Sequence, residues 1–251
     1  MNGTPATRES VIVTGGASGI GLACAEQAAA RGARVAILDA APDAAAAAVA
    51  RLDGDGHAAL VADVTDAGAL RASIDAFAAA GDGITGVVAA AGIVSRSTLS
   101  EIGPEEFRRV LAVNVEGAQN TISAALPHLI PHGGRAAIVV LGSVAAFTGG
   151  GLMGNGAYAT SKAAVIGLVR AYARELAPLR IRANVVAPAA TNTPMTQALD
   201  PADRARIEAG ILLGRFAEPA EIAATVSFLL SSAAGAITGQ VLHANGGVYF
   251  G

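Results

Sequence analysis

Short apolar runs alternate along the chain with longer stretches of helical periodicity. The runs are rich in branched residues and end in glycine or a polar residue, which is typical of buried strands. The sequence predicts strands at residues 11–13, 34–39, 57–62, 84–91, 135–141 and 181–186. The alternation continues to about Leu242 without a break in composition. We therefore expect one α/β domain over residues 1–251, with about seven strands in a doubly wound parallel sheet covered by helices on both faces.

The first apolar run ends in the glycine-rich stretch of residues 14–21, and a helical pattern follows it. Gly15 permits a sharp turn, Gly19 lets the backbone approach a pyrophosphate, and Gly21 allows a helix to pack closely. No Gly-Lys-Ser/Thr follows the glycines, so the stretch is not a P-loop. We expect an anion-binding loop, with a purely structural turn as the alternative.

The second run ends in Asp39, a carboxylate 18 residues after Gly21. This is the distance expected of an acid that binds the adenosine ribose, and a carboxylate there would repel a 2′-phosphate. Ser18, at a position where a basic side chain could have met such a phosphate, also favours NAD over NADP. Asp63 closes the third run and is equally compatible with an adenine pocket and with a turn. Thr65 is expected to cap the helix that follows.

Two polar side chains stand out among apolar neighbours in the middle of the chain. Ser143 follows the run of residues 135–141, and a hydroxyl at that point lies at the carboxyl edge of the sheet, where open α/β folds bind ligands. Asn114 lies in a helical stretch that begins near Pro104, and the local sequence favours a satisfied structural amide there.

Tyr158 and Lys162 are one helical turn apart, so both side chains share a face. A phenol with an unperturbed pKa near ~10 becomes a better base when a cation beside it favours the phenolate. Lys162 is the only lysine, since all other basic residues are arginine. The alternative is an ordinary pair on a helix surface.

Composition excludes several classes of function. Charged residues make up 15% of the chain and the net charge is −3, which argues against a nucleic-acid surface or a polybasic membrane patch. The N-terminus has no signal-peptide pattern and no apolar run approaches ~18 residues, so we expect a cytoplasmic protein. Cys24 is the only cysteine, and the four histidines lack metal-ligand spacing, so we expect no metal.

Together these residues resemble the short-chain dehydrogenase/reductase family over essentially the whole chain. The family's Thr-Gly-x-x-x-Gly-x-Gly matches residues 14–21, and its catalytic residues match Asn114, Ser143, Tyr158 and Lys162. Its Asp-Val pair at the adenine pocket is similar to Asp63 and Val64, and its Pro-Gly-x-x-x-Thr is similar to residues 188–193.

The resemblance implies a Rossmann-type fold and an NAD-dependent oxidoreductase acting on a secondary alcohol or the corresponding ketone. Tyr158 would carry the proton, Ser143 would hold the substrate oxygen, and Asn114 would position a water that relays protons to Lys162. The residues implied in cofactor binding are Gly15, Ser18, Gly19, Ile20, Gly21, Asp39, Asp63, Val64, Ala91, Gly92, Tyr158, Lys162, Pro188, Thr191 and Thr193.

Three departures from the family pattern concern supporting residues. The usual Asn-Asn-Ala-Gly is Ala-Ala-Ala-Gly at residues 89–92, and the glycine after Pro188 is Ala189. The interval from Ser143 to Tyr158 is slightly long because of a glycine-rich loop at residues 149–156. We expect that loop to influence substrate specificity.

Substrate expectations follow from small or apolar positions after the strands. The expected pocket residues are Val94, Ser95, Val144, Leu152, Met153, Asn155, Ala189 and Met195. They predict a modest, largely uncharged alcohol or ketone, with residues 193–216 as a mobile lid. The family also implies a homo-oligomer, a tetramer or a dimer, in which the Tyr158 helix and residues 242–251 resemble interface elements.

Three alternatives remain at this point. An acyl-carrier-protein reductase is disfavoured by Asp39 and by the absence of Arg and Lys from residues 126–134. An epimerase or dehydratase normally carries a different glycine turn and a longer C-terminal region. A dinucleotide-sensing protein without catalysis has no need of Ser143, Tyr158 and Lys162 together.

Overall fold

The computed structural model describes residues 8–152 and 154–251. Within them, seven strands form one parallel sheet in the order β3-β2-β1-β4-β5-β6-β7. The strands are β1 Ser10–Thr14, β2 Arg34–Asp39, β3 Ala58–Val61, β4 Gly86–Ala89, β5 Ala137–Leu141, β6 Arg182–Pro188 and β7 Val241–Ala244. The predicted doubly wound sheet is confirmed.

Helices connect the strands. They are α1 Gly19–Ala30, α2 Pro42–Val49, α3 Ala67–Ala79, α4 Pro104–Leu111, α5 Gly117–Leu129, α6 Ala145–Thr148, α7 Gly156–Leu176, α8 Pro194–Gln197, α9 Pro201–Ala209 and α10 Pro219–Leu230. No helix in the described part of the chain is long and apolar enough to cross a membrane.

Alternate residues of each strand face opposite layers of helices. Ile12 of β1 belongs to a core with residues of α3, α5 and α7, while its neighbours Val11 and Val13 belong to a second core with residues of α1 and α10. Because both faces of the sheet are buried, the strands read as continuous apolar runs rather than as alternating ones.

The strand order reverses at β1, which pairs with β2 on one side and with β4 on the other. Val13 is opposite Ile37 in one pair and opposite Val88 in the other. A crevice forms at the carboxyl ends of the strands at such a switch point, and ligands of open α/β sheets bind there.

Some predicted boundaries differ from the structure. The run of residues 84–91 forms a regular strand only over Gly86–Ala89, although Thr85 and Ala90 still donate hydrogen bonds to β1. The prediction that Thr65 caps α3 is wrong, because the Asp66 carboxylate accepts from two backbone amides of the first turn. Thr65 instead donates to Asp63.

The helix predicted from Pro104 is interrupted. α4 and α5 are joined by one turn of π-helix at Ala112–Glu116, which contains Asn114. A Cβ on Gly117, where α5 begins, would lie 2.5 Å from Cγ2 of Val64. The absence of a side chain on Gly117 thus lets the helix approach the loop after β3.

Candidate active site

A cleft of about 860 Å³ opens at the carboxyl ends of the strands, at the switch point between β1 and β4. The structure brings nearly all of the predicted site residues to its walls. They are Gly15, Ser18, Gly19, Ile20, Gly21, Asp39, Asp63, Val64, Ala91, Gly92, Ser143, Tyr158, Lys162, Pro188, Thr191 and Thr193. Asn114 is buried behind this wall, with its Oδ1 atom 3.2 Å from where a Cβ on Gly92 would lie.

The glycine turn leaves no room for side chains. Gly15 has a φ of +63°, and a Cβ there would lie 2.8 Å from Cα of Ala91. A Cβ on Gly21 would lie 2.2 Å from the carbonyl oxygen of Gly15. Any larger residue at either position must move backbone, since the contacts are with backbone atoms.

The start of α1 fits an anionic group. Ser18 is the N-cap residue, and in the described part of the chain its side chain makes no capping bond and no acidic residue occupies the first turn. The amide groups at this end are thus available, and the helix dipole favours negative charge. With the space above Gly15 and Gly19, these features fit the pyrophosphate of a dinucleotide.

Asp39 lies at the end of β2, at the edge of the cleft. Its carboxylate accepts hydrogen bonds from the backbone amide of Ala17 at 3.3 Å and from that of Ala41 at 3.2 Å. These bonds orient the carboxylate next to the glycine turn, where it can accept further bonds from ribose hydroxyls.

Asp63 lies both in a turn and on the wall of the cleft. One of its oxygens accepts bonds from the amide and the hydroxyl of Thr65, each at 2.8 Å, and these bonds hold the pKa of the carboxyl below its usual range. The residue also lines the cleft with Val64. The position on the cleft wall is compatible with the predicted adenine pocket, and the bonds to Thr65 are those of a turn.

Ser143 and Tyr158 meet in the cleft. Ser143 follows β5, and its Oγ accepts a hydrogen bond from the amide of Ala145 at 3.1 Å. The pKa of the Tyr158 phenol is raised above its ordinary value, because the effect of burial exceeds the lowering by a hydrogen bond with Ser143. The structure thus places a phenol and an aliphatic hydroxyl within hydrogen-bonding distance of each other in the cleft.

Lys162 is buried beneath Tyr158. Its Nζ donates to the carbonyl oxygen of Leu141 at 2.7 Å and lies 5.7 Å from the centre of the Tyr158 ring. Burial lowers the pKa of the ammonium to about 8. The group is therefore mostly charged at neutral pH, although burial makes its proton easier to lose.

The side-chain amide of Asn114 is hydrogen-bonded to neighbouring residues. Its Nδ2 donates to the carbonyl of Ile93 at 3.0 Å and to the hydroxyl of Ser161 at 2.9 Å, and its Oδ1 accepts from the Ile93 amide at 2.8 Å. Since both amide hydrogens are used, Asn114 can contact a further group only as an acceptor.

Apolar side chains make up most of the cleft lining. Of the expected pocket residues, Val94, Val144, Leu152, Ala189 and Met195 line it, and Met153 lies outside the described residues.

Ser95 and Asn155 do not line the cleft, so these two predictions are wrong. Ser95 is buried and donates to the Glu106 carboxylate at 2.7 Å. Asn155 is the N-cap residue of α7, and it donates to the carbonyls of Ser95 and Arg96, each at 2.9 Å. The Ser95 hydroxyl thus fastens the loop after β4 to α4, and Asn155 fastens the same loop to the start of α7.

The segment of residues 193–216 forms part of the cleft wall. Its two ends are joined by a β-bridge between Thr191 and Ala217, and the amide of Asn192 donates to the Ala217 carbonyl at 2.8 Å. Arg206, Ile207 and Ile211 line the cleft from this segment and were missed from the sequence. Their spacing along a helix, with Arg206 facing the same way as Gly210, is the signal that could have identified them.

Among the described residues, no group of three His, Cys, Asp or Glu side chains is placed to hold a metal ion.

A family model described as enoyl-(acyl carrier protein) reductase matches residues 15–249. A (3R)-3-hydroxyacyl-CoA dehydrogenase of Mus musculus is 38% identical, over 95% of each chain. An uncharacterised short-chain type dehydrogenase/reductase of Sinorhizobium fredii is 35% identical, over 96% of this chain and 97% of the relative.

A solved structure of a 3-oxoacyl-[acyl-carrier protein] reductase from Brucella melitensis, with bound NAD, superposes with a TM-score of 0.88. It is 32% identical, and the match covers 98% of this chain and 93% of that one. Both the sequence and the fold are thus matched over nearly the full length.

Proposed function

The chain belongs to the short-chain dehydrogenase/reductase family of oxidoreductases, and we propose that it interconverts a secondary alcohol and its ketone with NAD as cofactor. The observation that carries this proposal is the meeting of Ser143, Tyr158 and Lys162 in one cleft with the glycine turn of α1. A protein that only bound a nucleotide would not need these three groups together.

Tyr158 is the proposed proton carrier. In alcohol oxidation its phenolate oxygen takes the proton of the carbinol, and in ketone reduction the phenol returns it. Ser143 donates to the substrate oxygen and stabilises charge that develops there. Lys162 supplies the positive charge that favours the phenolate, and its low pKa of about 8 suits it to exchange protons near neutral pH.

Asn114 is proposed to hold a water on the path of the proton from Lys162 to solvent. Because its amide hydrogens are bonded to Ile93 and Ser161, it would do so as an acceptor. The π-helical turn around Asn114 brings the amide to this position beside Gly92.

NAD would lie across the switch point. The amide groups at the start of α1 would hold the pyrophosphate, Asp39 the adenosine ribose, the wall at Asp63 and Val64 the adenine, and Thr193 the nicotinamide carboxamide. When bound, the nicotinamide accepts or donates the hydride.

Removal of the phenol tests the proton carrier. We expect Tyr158→Phe to reduce kcat by about 10² to 10⁴-fold, the usual contribution of a general base, and to change NADH binding much less than kcat. Turnover is followed by absorbance of the reduced nicotinamide on a panel of secondary alcohols and ketones, and binding by calorimetry. Near-normal turnover of the variant would show that another group moves the proton.

Cofactor preference tests the role of Asp39. We expect NAD to bind at least ten times more tightly than NADP, since the carboxylate repels a 2′-phosphate. Asp39→Asn should narrow the difference in affinity between NAD and NADP. Asp63→Asn should change the affinity for both cofactors by a similar factor. A wild-type preference for NADP would contradict this assignment.

A 3-hydroxyacyl thioester or its 3-oxo form is the second candidate substrate. The mouse relative and the Brucella structure carry names of enzymes that act on such thioesters. The mostly apolar lining of the cleft also suits an acyl chain. Including acetoacetyl-CoA in the substrate panel decides between the two candidates.

A further inference from the structure

The lid helix α9 turns one face toward the cleft. Arg206 and Ile207 of α9 line the cleft together with Gly210, the C-cap residue, and Ile211, which follows it. Residues three and four positions apart share a helix face, so this arrangement follows from the helix itself. A cation is thus presented to a part of the cleft whose other walls are mostly apolar.

The second arginine of α9 is used differently. Arg204 donates to Oδ1 of Asn192 at 2.8 Å, pairs with Glu208 at 3.0 Å, and lies 4.1 Å from the centre of the Phe216 ring. These contacts fix the orientation of α9 against the base of the lid. They also leave the opposite side of the helix to face the cleft.

Arg206 has only a loose contact. Its Nη1 lies 3.7 Å from Oδ1 of Asp203, one turn earlier, and its side chain is 69% exposed. The other cations that line the cleft are Lys162, which is buried at the floor, and Arg109, which influences Asp63 at the opposite end. Among the described residues, Arg206 is therefore the cation available to a ligand on the lid side.

We propose that Arg206 binds an anionic group of the substrate at the mouth of the cleft. The substrate class is then a secondary alcohol or ketone whose reacting carbon is separated by an apolar stretch from a carboxylate or a phosphate. The apolar side chains of Val144, Leu152 and Ile207 would contact that stretch. This inference rests on the proposed function, and it revises the expectation of a largely uncharged substrate.

Paired probes that differ in charge test the inference. The first pair is 6-oxoheptanoate and its methyl ester, and the second is acetoacetyl-CoA and acetoacetyl-N-acetylcysteamine, so that a carboxylate and a phosphate are tested separately. Each is assayed with NADH on the wild type, on Arg206→Gln and on Arg108→Gln. Arg108 is a matched control, because it is 74% exposed, pairs loosely with Glu105 at 3.8 Å, and lies outside the cleft.

We expect Arg206→Gln to raise KM for the anionic member of at least one pair by about fivefold, the effect of losing an exposed ion pair. KM for the neutral members and for NADH should stay the same, and Arg108→Gln should change nothing. The inference would be overturned if Arg206→Gln changed KM equally for the anionic and the neutral member of each pair. A rise in KM for NADH alone would also overturn it, because Arg206 would then bind the cofactor.

Calorimetry separates this inference from the proposed function. The anionic probes are titrated into each variant in the presence of NAD, whether or not they are turned over. Weaker binding to Arg206→Gln alone supports the anion site even if no probe reacts. The inference is wrong if both anionic probes bind the wild type and Arg206→Gln with equal affinity. It is also wrong if the probes bind neither protein, even when the wild type oxidises a neutral alcohol.

Discussion

At the scale of single residues, the most unusual group is Lys162. It is the only lysine of the chain, it is buried, and its pKa is lowered from 10.5 to about 8. Because burial of a charge is unfavourable, the buried ammonium lowers the free energy of unfolding of the protein.

That cost predicts a dependence of stability on pH. Between pH 8 and 10.5 the unfolded chain keeps the Lys162 proton while the folded protein loses it, so the free energy of unfolding should rise with pH in this window. The total from Lys162 is about 3 kcal/mol. Urea denaturation of the wild type and of Lys162→Met at several pH values measures the difference.

Comparison with Lys162→Met is needed because Cys24 changes the pH dependence of stability in the opposite direction. Burial raises the pKa of its thiol to about 12, so stability from this group falls as pH rises above the ordinary value of 9.0. Both proteins contain Cys24, so its effect cancels. If the two curves ran parallel from pH 8 to 10, Lys162 would have an ordinary pKa in the folded protein.

Residues with a fixed place in a motif could be located from the sequence. Asp39 and Ser143 each follow a buried strand, and parallel strands deliver their carboxyl ends to one edge. Ser95 could not be placed correctly, because its orientation depends on Glu106, which no local pattern connects with it. The chemical roles of these residues remain predictions.

At the scale of elements, the predicted lid of residues 193–216 is held at both of its ends. The bridge between Thr191 and Ala217 closes residues 193–216 into a loop with a fixed base, and Arg204 fastens α9 to Asn192 beside that base. Motion of the lid therefore requires that the Arg204 contacts break or that α9 moves together with the base.

Loss of these contacts should loosen the lid. We expect Arg204→Met to accelerate amide hydrogen exchange in residues 193–216 by about fivefold, the effect of a surface ion pair, with no change in the sheet. Mass spectrometry of peptic fragments measures it. Arg51→Met is the control, because Arg51 forms a surface ion pair with Glu26 at 2.6 Å and neither residue belongs to the segment 193–216. Equal exchange in both variants would mean that the base alone holds the lid.

Element types were more predictable than their boundaries. The apolar run of residues 34–39 coincides with β2, because both faces of this strand are buried. The π-helical turn at Ala112–Glu116 has no local signature, since the sequence continues in helical periodicity on both sides. Its position depends on bonds from Asn114 to Ile93, 21 residues away.

At the scale of the whole molecule, the α/β alternation was enough to predict one doubly wound sheet. Parallel strands need crossover helices, and these connections are almost always right-handed. The oligomeric state was not deducible in the same way, since it depends on surface detail.

Exposed apolar side chains predict association. Leu212, Leu213 and Phe250 are each at least 70% exposed, and they lie in the region around β7, the last strand of the sheet. We expect a dimer or tetramer at micromolar concentration, measured by light scattering after gel filtration, and expect Phe250→Asp to weaken it. A wild-type protein that remained monomeric at 100 times that concentration would contradict this expectation.

The pairing of β1 with β4 has a consequence for synthesis of the protein. Thr14 of β1 and Ala91, whose amide donates to the Thr14 hydroxyl, are 77 residues apart in the chain. At ribosomal rates of about 5 to 20 residues per second, the nascent chain needs about 4 to 15 seconds to supply the second after the first. During that interval, the edge of β1 that β4 later covers is exposed. NAD cannot protect this intermediate, because half of its proposed binding surface has not yet been made.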